Sequence, residues 1–517
     1  MDNTTLTASL QAQNAKQNKR ISELENTVAE LSALVKHFEE LFKLSQHQRF
    51  GSLSEKTMPD GVQMSFFGDM AVPASLPETE ETEEVKFNRR RRKGKRQEDL
   101  SKLPLEVIEH NIPEDERGCP ECGETMSEIG AETRDEIKVV PARVIHVQHR
   151  YPTYKCLPCD KTTGQTPIIK TPMPEPMIKG SAASASAVAF IMTQKYLMHL
   201  PLYRLEQDFK RQGVNISRQN MANWVIHVCM SLLFLIYDKF RETLLGHDVI
   251  FSDDTGVQVL REPDKKPQIK SNMWLYRTGC DSQTPITLYE WQPNRNHEHP
   301  GNFLDGWAGF CHADGFEGYH KIDNVTVIGC WAHVRRKFND AFKITNALDS
   351  PAKIGLDYCN RLFELERSFA GLSFDERFEA REKNSRPVAQ EFFKWAESVD
   401  MPPKLTISRA VSYALNQREW LMNVFLDGRL ELSNNRAERS IKPFVMGRKN
   451  WLFSNSVNGV KASAITFSII ETAKENGLKP FEYLQFLLES LPNTTTKWIG
   501  DLLPWSDTLP DSCRNPM

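Results

Sequence analysis

Two short apolar runs, each ending in aspartate, decide the fold: Val249-Ile-Phe-Ser-Asp-Asp254 and Phe310-Cys-His-Ala-Asp314. Each run has the length and composition of a buried β-strand. Similar runs predict further strands at Trp274–Arg277, Ile286–Trp291 and Val325–Cys330. Functional groups gather where the strands of an open α/β sheet end, so Asp253 and Asp314 mark a candidate site. Neither aspartate is specific alone, because strand-end aspartates also form turns and cap helices.

Downstream of these strands the periodicity becomes helical. Between about residues 331 and 430, apolar residues recur near every 3.6 positions, as at Leu362, Leu365 and Phe369. The segment 460–491 is helical as well. The pattern therefore predicts an α/β core over residues 245–456 with a helical insertion at about 331–430. A C-terminal helical region, 457–517, follows the core.

A third carboxylate lies in Leu432-Ser-Asn-Asn-Arg-Ala-Glu-Arg439. Ser433 or Asn434 is suited to cap a helix that begins there and carries Glu438. The residues that follow, up to Phe453, are dense in Arg and Lys with aromatics beside them, which suits a phosphodiester in a groove. Three carboxylates can hold two Mg²⁺ (or Mn²⁺) ions about 4 Å apart, where the ions activate an attacking oxygen and stabilise a leaving one.

The region before the core, residues 166–244, has the layout of a helix-turn-helix. Helical patterns cover Ala185–Met198, Leu202–Gln212 and Gln219–Leu235, and Gly213 ends the second of them. Ser217 is a good N-cap for the third. Arg218 and Asn220 then lie at the exposed start of that helix, where such motifs read DNA bases. An ordinary helical hairpin has the same layout and stays an alternative.

Four of the ten cysteines form two C-x-x-C pairs within a unit predicted at residues 104–165. These pairs are Cys119 with Cys122 and Cys156 with Cys159. Two such knuckles bring four thiolates into the tetrahedron that Zn²⁺ prefers, and the closed site is typical of a structural ion. The alternating residues between the pairs predict short strands, as in a zinc ribbon.

The N-terminal hundred residues contain two further patterns. In the segment 1–50, apolar residues at Ile21, Leu24, Val28, Leu31, Val35, Phe38 and Phe42 follow a heptad repeat, which predicts a coiled coil and a homo-oligomer. One amphipathic helix packed on its own chain is the alternative. The segment 51–103 reads as a disordered linker with an acidic run and then a basic run. We expect the basic run to contact phosphates through Arg89, Arg90, Arg91, Arg92 and Lys93.

The overall composition sets the class of protein. A length of 517 residues predicts three or four domains, and 40% apolar with 26% charged residues is ordinary for a soluble globular chain. The apolar run Val228–Tyr237 is too short to span a bilayer, and the polar N-terminus has no signal-peptide core. We therefore expect a cytoplasmic protein without a membrane partner.

Together these segments resemble the insertion sequence 66 family of DDE transposases, over nearly the whole chain. Besides the two cysteine pairs and Phe50-Gly-Ser52, the motifs that carry the resemblance are His199-Leu-Pro-Leu-Tyr-Arg204, Ser252-Asp-Asp-Thr255, Asp314-Gly-Phe-Glu-Gly-Tyr319, Gly329-Cys-Trp-Ala-His-Val-Arg-Arg-Lys-Phe338, Asn434-Asn-Arg-Ala-Glu-Arg439, Gly447-Arg-Lys-Asn-Trp-Leu-Phe453 and Glu471-Thr-Ala-Lys-Glu-Asn-Gly477. The family is described as having an N-terminal leucine zipper, a zinc-binding region and a ribonuclease-H-like catalytic core, and the resemblance implies the same architecture here.

The resemblance also implies that Asp253, Asp314 and Glu438 are the catalytic metal ligands. The residue pattern alone leaves Asp254, Asp323 and Glu471 open as alternatives. Where the family has Ala-Asp-Glu-Thr-Pro, this chain has Ser252-Asp-Asp-Thr-Gly256, so the second acid is shorter and the proline is missing. The first acid of the family pattern aligns with Asp253.

The implied activity is DNA transposition. The chain would bind element ends, hydrolyse a phosphodiester to expose a 3′-OH, and join that hydroxyl to target DNA near the nucleoid, with accessory proteins of the same element as further partners. Arg335, Arg336, Arg448 and Lys449 are candidates for DNA phosphate contacts. A metal-dependent nuclease that only cuts, and a DNA-binding regulator without catalysis, are the two rival hypotheses.

The cysteine pattern generates the first testable prediction. The purified full-length chain should contain one zinc ion per chain, measured by elemental analysis, because the four thiolates form one closed site. Replacing Cys119 with serine should remove the zinc, whereas replacing Cys280, a cysteine outside both pairs, should leave it bound. A zinc-free chain whose C-x-x-C thiols all react with a thiol reagent would contradict the prediction.

Overall fold

The structure is a computed structural model that describes residues 143–155, 168–402, 405–494 and 496–515, with isolated positions between residues 17 and 39. The four paired cysteines, the basic run 89–93 and most of the predicted coiled coil lie outside the described residues. The chain divides into two compact units. One contains His149–Asn515 and the N-terminal segment; the other contains Phe66–Gln148, of which residues 143–148 are described and are exposed.

Nine strands are present among the described residues. In chain order they are β1 (Thr153–Lys155), β2 (Ile168–Lys170), β3 (Val249–Val257), β4 (Val259–Arg261), β5 (Ser271–Thr278), β6 (Thr287–Gln292), β7 (Gly309–His312), β8 (Val325–Ile328) and β9 (Ser454–Ser456). All five strands predicted in the core are confirmed. The short strands β4 and β9, which pair in parallel, were not predicted.

The central sheet has five strands in the order β6-β5-β3-β7-β8. Strand β3 lies in the middle; it pairs antiparallel with β5 and parallel with β7, and β8 continues the parallel half. The residues of β5 are buried throughout, as expected of a strand that is covered on both faces. This mixed sheet confirms the predicted α/β core.

Fourteen α-helices are described. Those before and within the first half of the core are α1 (Ala185–Met192), α2 (Leu202–Arg211), α3 (Arg218–Val228), α4 (Phe234–Leu244) and α5 (Glu298–Phe303). The remaining helices are α6 (Trp331–Thr345), α7 (Pro351–Ser368), α8 (Phe374–Ala380), α9 (Arg386–Ser398), α10 (Thr406–Asn416), α11 (Arg418–Met422), α12 (Asn435–Trp451), α13 (Val457–Glu475) and α14 (Pro480–Ser490).

The helices α2 and α3 form the predicted helix–turn–helix layout. Gly213 adopts φ +85° in the turn, and the Ser217 side chain caps α3 by accepting from the backbone N–H of Asn220. A π-helical turn joins α3 to α4, so the helix runs on to Leu244 and not to Leu235 as predicted. The prediction therefore ended the helix too early, although Ile236, Phe240 and Leu244 continue its buried face at helical spacing.

This continuous helix, Arg218–Leu244, is long and apolar enough to cross a membrane by length and composition, since an 18-residue window within it has a mean hydropathy of 1.5. It nevertheless has a face that is buried in the protein, at Val225, Val228, Leu233 and Phe240 among others. The Cys229 thiol on that face lies 3.3 Å from the Thr466 hydroxyl of α13. One face of the helix therefore packs into the core, and 33% of its apolar window is buried.

The edge strand β6 is covered by α13. Ser468 accepts a hydrogen bond from the backbone N–H of Tyr289 at 2.8 Å, and Thr472 both accepts from and donates to the backbone of Thr287 at 3.0 Å. An exposed strand edge would offer unpaired N–H and C=O groups to other chains. The hydroxyls of α13 satisfy these groups and fix the helix against the sheet.

The helical region after β8 leaves and re-enters the core at one place. The backbone N–H of Trp331 donates to the Leu432 carbonyl at 2.9 Å, and the N–H of Gly329 donates to the Trp420 carbonyl at 2.8 Å. A Cβ on Gly329 would lie 3.0 Å from the Leu421 nitrogen, so glycine permits this close approach. The helices α6–α11 thus form a side unit with adjacent ends.

Arg381, in the insertion, generates a stability prediction. Its side chain is 1% exposed and binds Glu366 together with the carbonyls of Asp427 and Leu430, which ties the helices to the chain returning to the core. Arg381→Met should lower the free energy of unfolding by about 3 kcal/mol, because it leaves a carboxylate and two carbonyls without their donor. Denaturant unfolding measures this; Arg367→Met, a control at the end of α7, should change stability by less than about 0.5 kcal/mol.

Candidate active site

The parallel pairing of β3 and β7 brings the first two carboxylates together. The register aligns Val249 with Phe310 and Phe251 with His312. Asp253 and Asp314 each lie two residues beyond the last of these pairs. The two aspartates therefore lie on neighbouring parallel strands as expected. Asp314 follows the end of β7, but the prediction that Asp253 ends its strand is wrong, because β3 continues to Val257 along β5.

The third carboxylate is brought in by the start of α12. Asn434 precedes this helix, and its Nδ2 donates to the Ser252 carbonyl at 2.7 Å, one residue before Asp253. Its backbone N–H donates to Cys330 Sγ at 3.2 Å. Asn434 occupies the N-cap position, as one of the two predicted candidates, but its side chain makes no cap hydrogen bond. Its amide instead fastens the helix to β3.

Asp253, Asp314 and Glu438 line one pocket of about 240 Å³. The other lining residues are His333 and Arg336 of α6 and Ile441 and Lys442 of α12. The carboxylates come from positions that are 61 and 124 residues apart along the chain. Three acidic groups and two cations therefore meet where the middle of β3, the end of β7 and the start of α12 converge.

Asp253 is the most perturbed member of this group. Burial raises the pKa of its carboxyl to about 8, with the negative charges of Asp314, Asp254 and Glu438 acting in the same direction. The backbone N–H of Asp254 donates to Asp253 Oδ1 at 2.8 Å and offsets part of that shift. An acid in this setting takes up a proton or requires a nearby cation at neutral pH.

The neighbouring acids are engaged elsewhere. Asp254 is bound by the Arg295 guanidinium at 2.8 Å and by the Asn272 amide. Glu471, a second alternative, lies on α13 and pairs with Lys474 at 2.8 Å. Asp323, the third, is exposed in a turn and does not line the pocket. These observations favour Asp253 and Glu438 as groups that face the pocket.

Glu438 has two weak partners from α6. Arg336 Nη2 and His333 Nε2 each lie 3.5 Å from its carboxylate oxygens. Its Oε1 is buried and makes no hydrogen bond to any described residue. Burial lowers the pKa of His333, so the imidazole is neutral at neutral pH.

Cys330 lies beside the same two groups. Its sulfur, a nitrogen of His333 and an oxygen of Glu438 lie within 4.8 Å of one another. The thiol already accepts the N–H of Asn434, and burial raises its pKa to about 11. Without a metal ion Cys330 is therefore a protonated thiol, which accepts the Asn434 N–H and packs beside His333 and Glu438.

The basic residues marked by the sequence are used in different ways. Arg335 donates to Asn360 at 2.8 Å within the insertion, and Arg448 donates to Thr255 Oγ1 at 3.1 Å at the end of β3. Arg336 is 53% exposed at the pocket, and Lys449 is exposed on the last turn of α12. Arg218 and Asn220 are exposed at the start of α3, outside the pocket.

Two residues at the site were missed by the sequence analysis. Arg295 follows β6 and contacts both Asp254 and, at 3.4 Å, Asp314. Lys442 lies one helical turn after Glu438 and lines the carboxylate pocket. The spacing of four between Glu438 and Lys442 was a readable signal, because such pairs share a helix face. Arg295 lies in a loop, where no periodicity indicates a partner.

Comparison with protein families identifies the class of protein. A profile described as "Transposase IS66 family" matches residues 180–462, and the IS66 C-terminal element matches 468–505. The zinc-finger binding domain of transposase IS66 matches residues 116–160, which contain all four paired cysteines, and "Transposase C of IS166 homeodomain" matches 37–108. The protein is thus a transposase with a zinc-finger region and DNA as its partner. The chain belongs to the IS66 family.

Similar proteins come from Sinorhizobium fredii (strain NBRC 101917 / NGR234). Uncharacterized protein y4qI is 29% identical over 421 residues, which are 78% of this chain and 75% of that protein. Uncharacterized protein y4jD is 28% identical over 415 residues, 76% of this chain and 79% of that protein. The names of these two proteins do not state a function.

One solved structure is also similar, the Drosophila P element transposase strand transfer complex. It matches with 11% identity and a TM-score of 0.30, over 60% of this chain and 94% of that chain. A similarity of this size carries no structural argument.

The raised pKa of Asp253 generates a prediction for the metal-free protein. The folded pKa is about 8 and that of an unfolded aspartate about 3.9, so between these values the folded state holds a proton that the unfolded state has released. The free energy of unfolding therefore falls as pH rises from about 4 to 8. Asp253→Asn removes this dependence. In EDTA, the free energy of unfolding of the variant minus that of the wild type should therefore rise by roughly 3 kcal/mol from pH 5 to pH 8.

Asp323→Asn, at an exposed loop carboxylate, is the matched control and should show no such rise. Thermal unfolding at several pH values measures both variants, and excess Mg²⁺ should stabilise the wild type most at pH 8. Equal pH dependence in wild type and Asp253→Asn would show that Asp253 ionises normally.

Proposed function

We propose that this chain is a DDE transposase that hydrolyses a phosphodiester at the element ends to expose a 3′-OH and then joins it to target DNA. Asp253, Asp314 and Glu438 are the proposed catalytic residues. The observation that carries the proposal is their convergence in one pocket from three distant segments. That pocket also contains Arg336 and Lys442, whose charges suit a phosphate.

The site fits a pair of divalent cations. Burial and its acidic neighbours raise the pKa of Asp253, and Glu438 Oε1 is buried without a hydrogen bond from a described residue. Both features raise the free energy of the metal-free carboxylates, and bound cations would lower it. Carboxylate oxygens are also the ligands that Mg²⁺ or Mn²⁺ prefers. Two such ions supply activation of the attacking oxygen and stabilisation of the leaving one.

The chain's own residues then have distinct roles in this proposal. Asp253, Asp314 and Glu438 bind and orient the ions. Arg336 and Lys442 bind the phosphate oxygens, and His333, kept neutral by burial, lies 3.5 Å from Glu438 without adding positive charge next to the metal site. Asn434 keeps the start of α12 against β3, so Glu438 stays beside Asp253.

The sheet supports a ribonuclease-H-like core. Numbered within the sheet, its strands follow the order 3-2-1-4-5, with strands 1–3 antiparallel and 1, 4 and 5 parallel. In this arrangement Asp253 of β3 and Asp314 after β7 come from neighbouring parallel strands, which supports a shared metal site. The domain limits in this proposal remain 245–456 for the core, with the insertion at 331–430.

The N-terminal modules are proposed to bind DNA and to assemble the protein. The cysteines at 119, 122, 156 and 159 bind one Zn²⁺, and the arm 89–93, Arg218 and Asn220 contact element ends. Ile21, Leu24, Val28 and Val35 are helical and 50–61% exposed, which supports self-association through the predicted coiled coil. The proposed place of action is the nucleoid, with accessory proteins as possible partners.

The two rival functions make different demands. A non-catalytic regulator does not require the three carboxylates to meet, so their shared pocket counts against it. A metal-dependent nuclease needs the same pocket but does not use a 3′-OH as the attacking group. A strand-transfer assay with a pre-nicked end separates these two enzymes.

The test replaces Glu438 with glutamine in the full-length chain. This change keeps the shape but removes a charge that the ions need, so cleavage and joining with Mg²⁺ should fall at least about 1000-fold, while affinity for end DNA should change less than threefold. Gel assays with intact and pre-nicked element ends measure both steps.

Glu431→Gln is the matched control. Glu431 lies just before α12 and pairs with Arg436 in its first turn, and neither residue lines the pocket. Near-normal strand transfer by Glu438→Gln would reject the assignment of the third ligand. Cleavage without joining by the wild type would favour the nuclease.

A further inference from the structure

A second pocket of about 420 Å³ adjoins the carboxylate site. It shares Asp314 and His333 with the first pocket and extends between the core and the insertion. Arg295 and Phe316 line it from the core, and Lys337 of α6 and Tyr413 of α10 line it from the insertion. Its volume lies in the range of small-molecule and cofactor sites.

Each side of this pocket carries an aromatic ring with a cation over it. The Arg295 guanidinium lies 4.4 Å from the centre of the Phe316 ring, and Lys337 Nζ lies 4.4 Å from the centre of the Tyr413 ring. Arg295 and Lys337 are both exposed, and the two rings are half-buried. Rings combined with cations are the usual platform for nucleic-acid bases, whose faces stack on aromatics while their phosphates meet positive charge.

The approach of the two sides depends on Gly315. A Cβ at this position would lie 3.2 Å from Tyr413 Oη and 3.3 Å from Cε2 of the same ring. The residue next to Asp314 is therefore in near contact with an aromatic side chain of the insertion. Burial also keeps the pKa of Tyr413 above its ordinary value, so its hydroxyl remains a hydrogen-bond donor.

The charges of the pocket favour a nucleotide over a bare anion. Arg295 and Lys337 are balanced by the carboxylates of Asp314 and Glu317, and Arg295 is already bound to Asp254 and Asp314. A free phosphate would gain little from this arrangement. A base that stacks on a ring, with its phosphate next to the cations of the pocket and the proposed metal site, uses both the apolar and the charged groups.

We propose that this pocket binds a nucleotide next to the scissile phosphate, with its base stacked on Tyr413. The inference rests on the proposed function, because the shared Asp314 places the base beside the phosphate that is cleaved. It also gives the insertion a role in substrate binding: α6 supplies Lys337 and α10 supplies the ring. Tyr413 then binds DNA without preference for one base, since every base presents a face that stacks.

The experiment combines a variant with a matched change in the DNA. Tyr413→Ala in the full-length chain should lower kcat/KM for cleavage of duplexes carrying the element's own ends by about 5- to 150-fold, the range for loss of one stacked base. Substrates with an abasic nucleotide on either side of the scissile phosphate are then compared. One of them should reduce wild-type cleavage by a similar factor, and on that substrate Tyr413→Ala should lose less than twofold more.

Three control variants and a second test variant, Lys337→Gln, accompany this comparison of variants and substrates. Tyr413→Phe keeps the ring and should retain activity within about twofold. Phe378→Ala removes a 38% exposed ring from α8 of the insertion, outside the pocket, and should have no effect on either substrate. Lys337→Gln should weaken cleavage, whereas Lys343→Gln on the same helix, also exposed, should not.

The outcomes are distinguishable. Equal losses by Tyr413→Ala on intact and abasic substrates would mean that Tyr413 only holds the insertion against the core, and the inference would be overturned. A wild-type chain that cleaves none of the substrates would reject the proposed function itself. Active wild type with an unaffected Tyr413→Ala would reject the nucleotide site alone.

Discussion

The accumulation of negative charge in a partly buried pocket is the constraint on which the rest of the site depends. Asp253, Asp314 and Glu438 line the same pocket, and burial together with the neighbouring charges raises the pKa of Asp253 to about 8. Arg295 and Arg336 reach the group only at 3.4 and 3.5 Å, so they offset the repulsion without neutralising it. A fold that maintains such a cluster keeps an unfavourable arrangement that divalent cations would stabilise.

The chain holds this arrangement with backbone contacts close to the charges. The β3–β7 pairing fixes two carboxylates, but the third depends on where the insertion returns. Trp331 and Leu432 are hydrogen-bonded across its two ends, and Asn434 bonds both Cys330 and Ser252. About a hundred residues of helix can therefore be inserted without moving α12 relative to β3, because hydrogen bonds join the two ends of the insertion to each other and to β3.

The sequence predicted the elements of the core well and the contacts of single side chains less well. Apolar runs predicted five strands because burial on both faces leaves few polar residues, as in β5. Asn434 occupies the N-cap position as one of the predicted candidates, but its side-chain contact was not predicted, because the amide bonds Ser252 and not its own helix. Arg295 could not be predicted because its partners, Asp254 and Asp314, are distant in sequence and it lies in a loop.

The different uses of the basic residues bear on the path of DNA in the proposed complex. Arg335 and Arg448, both marked by sequence, donate to Asn360 and Thr255 inside the protein and so help hold the insertion and β3. The cations at the two pockets are Arg336 and Lys337 from α6, Lys442 from α12, and Arg295 from the core loop. Three separate segments thus surround Asp314 with positive charge. A phosphodiester at the carboxylates would lie between α6 and α12, and the insertion would form one wall of its channel.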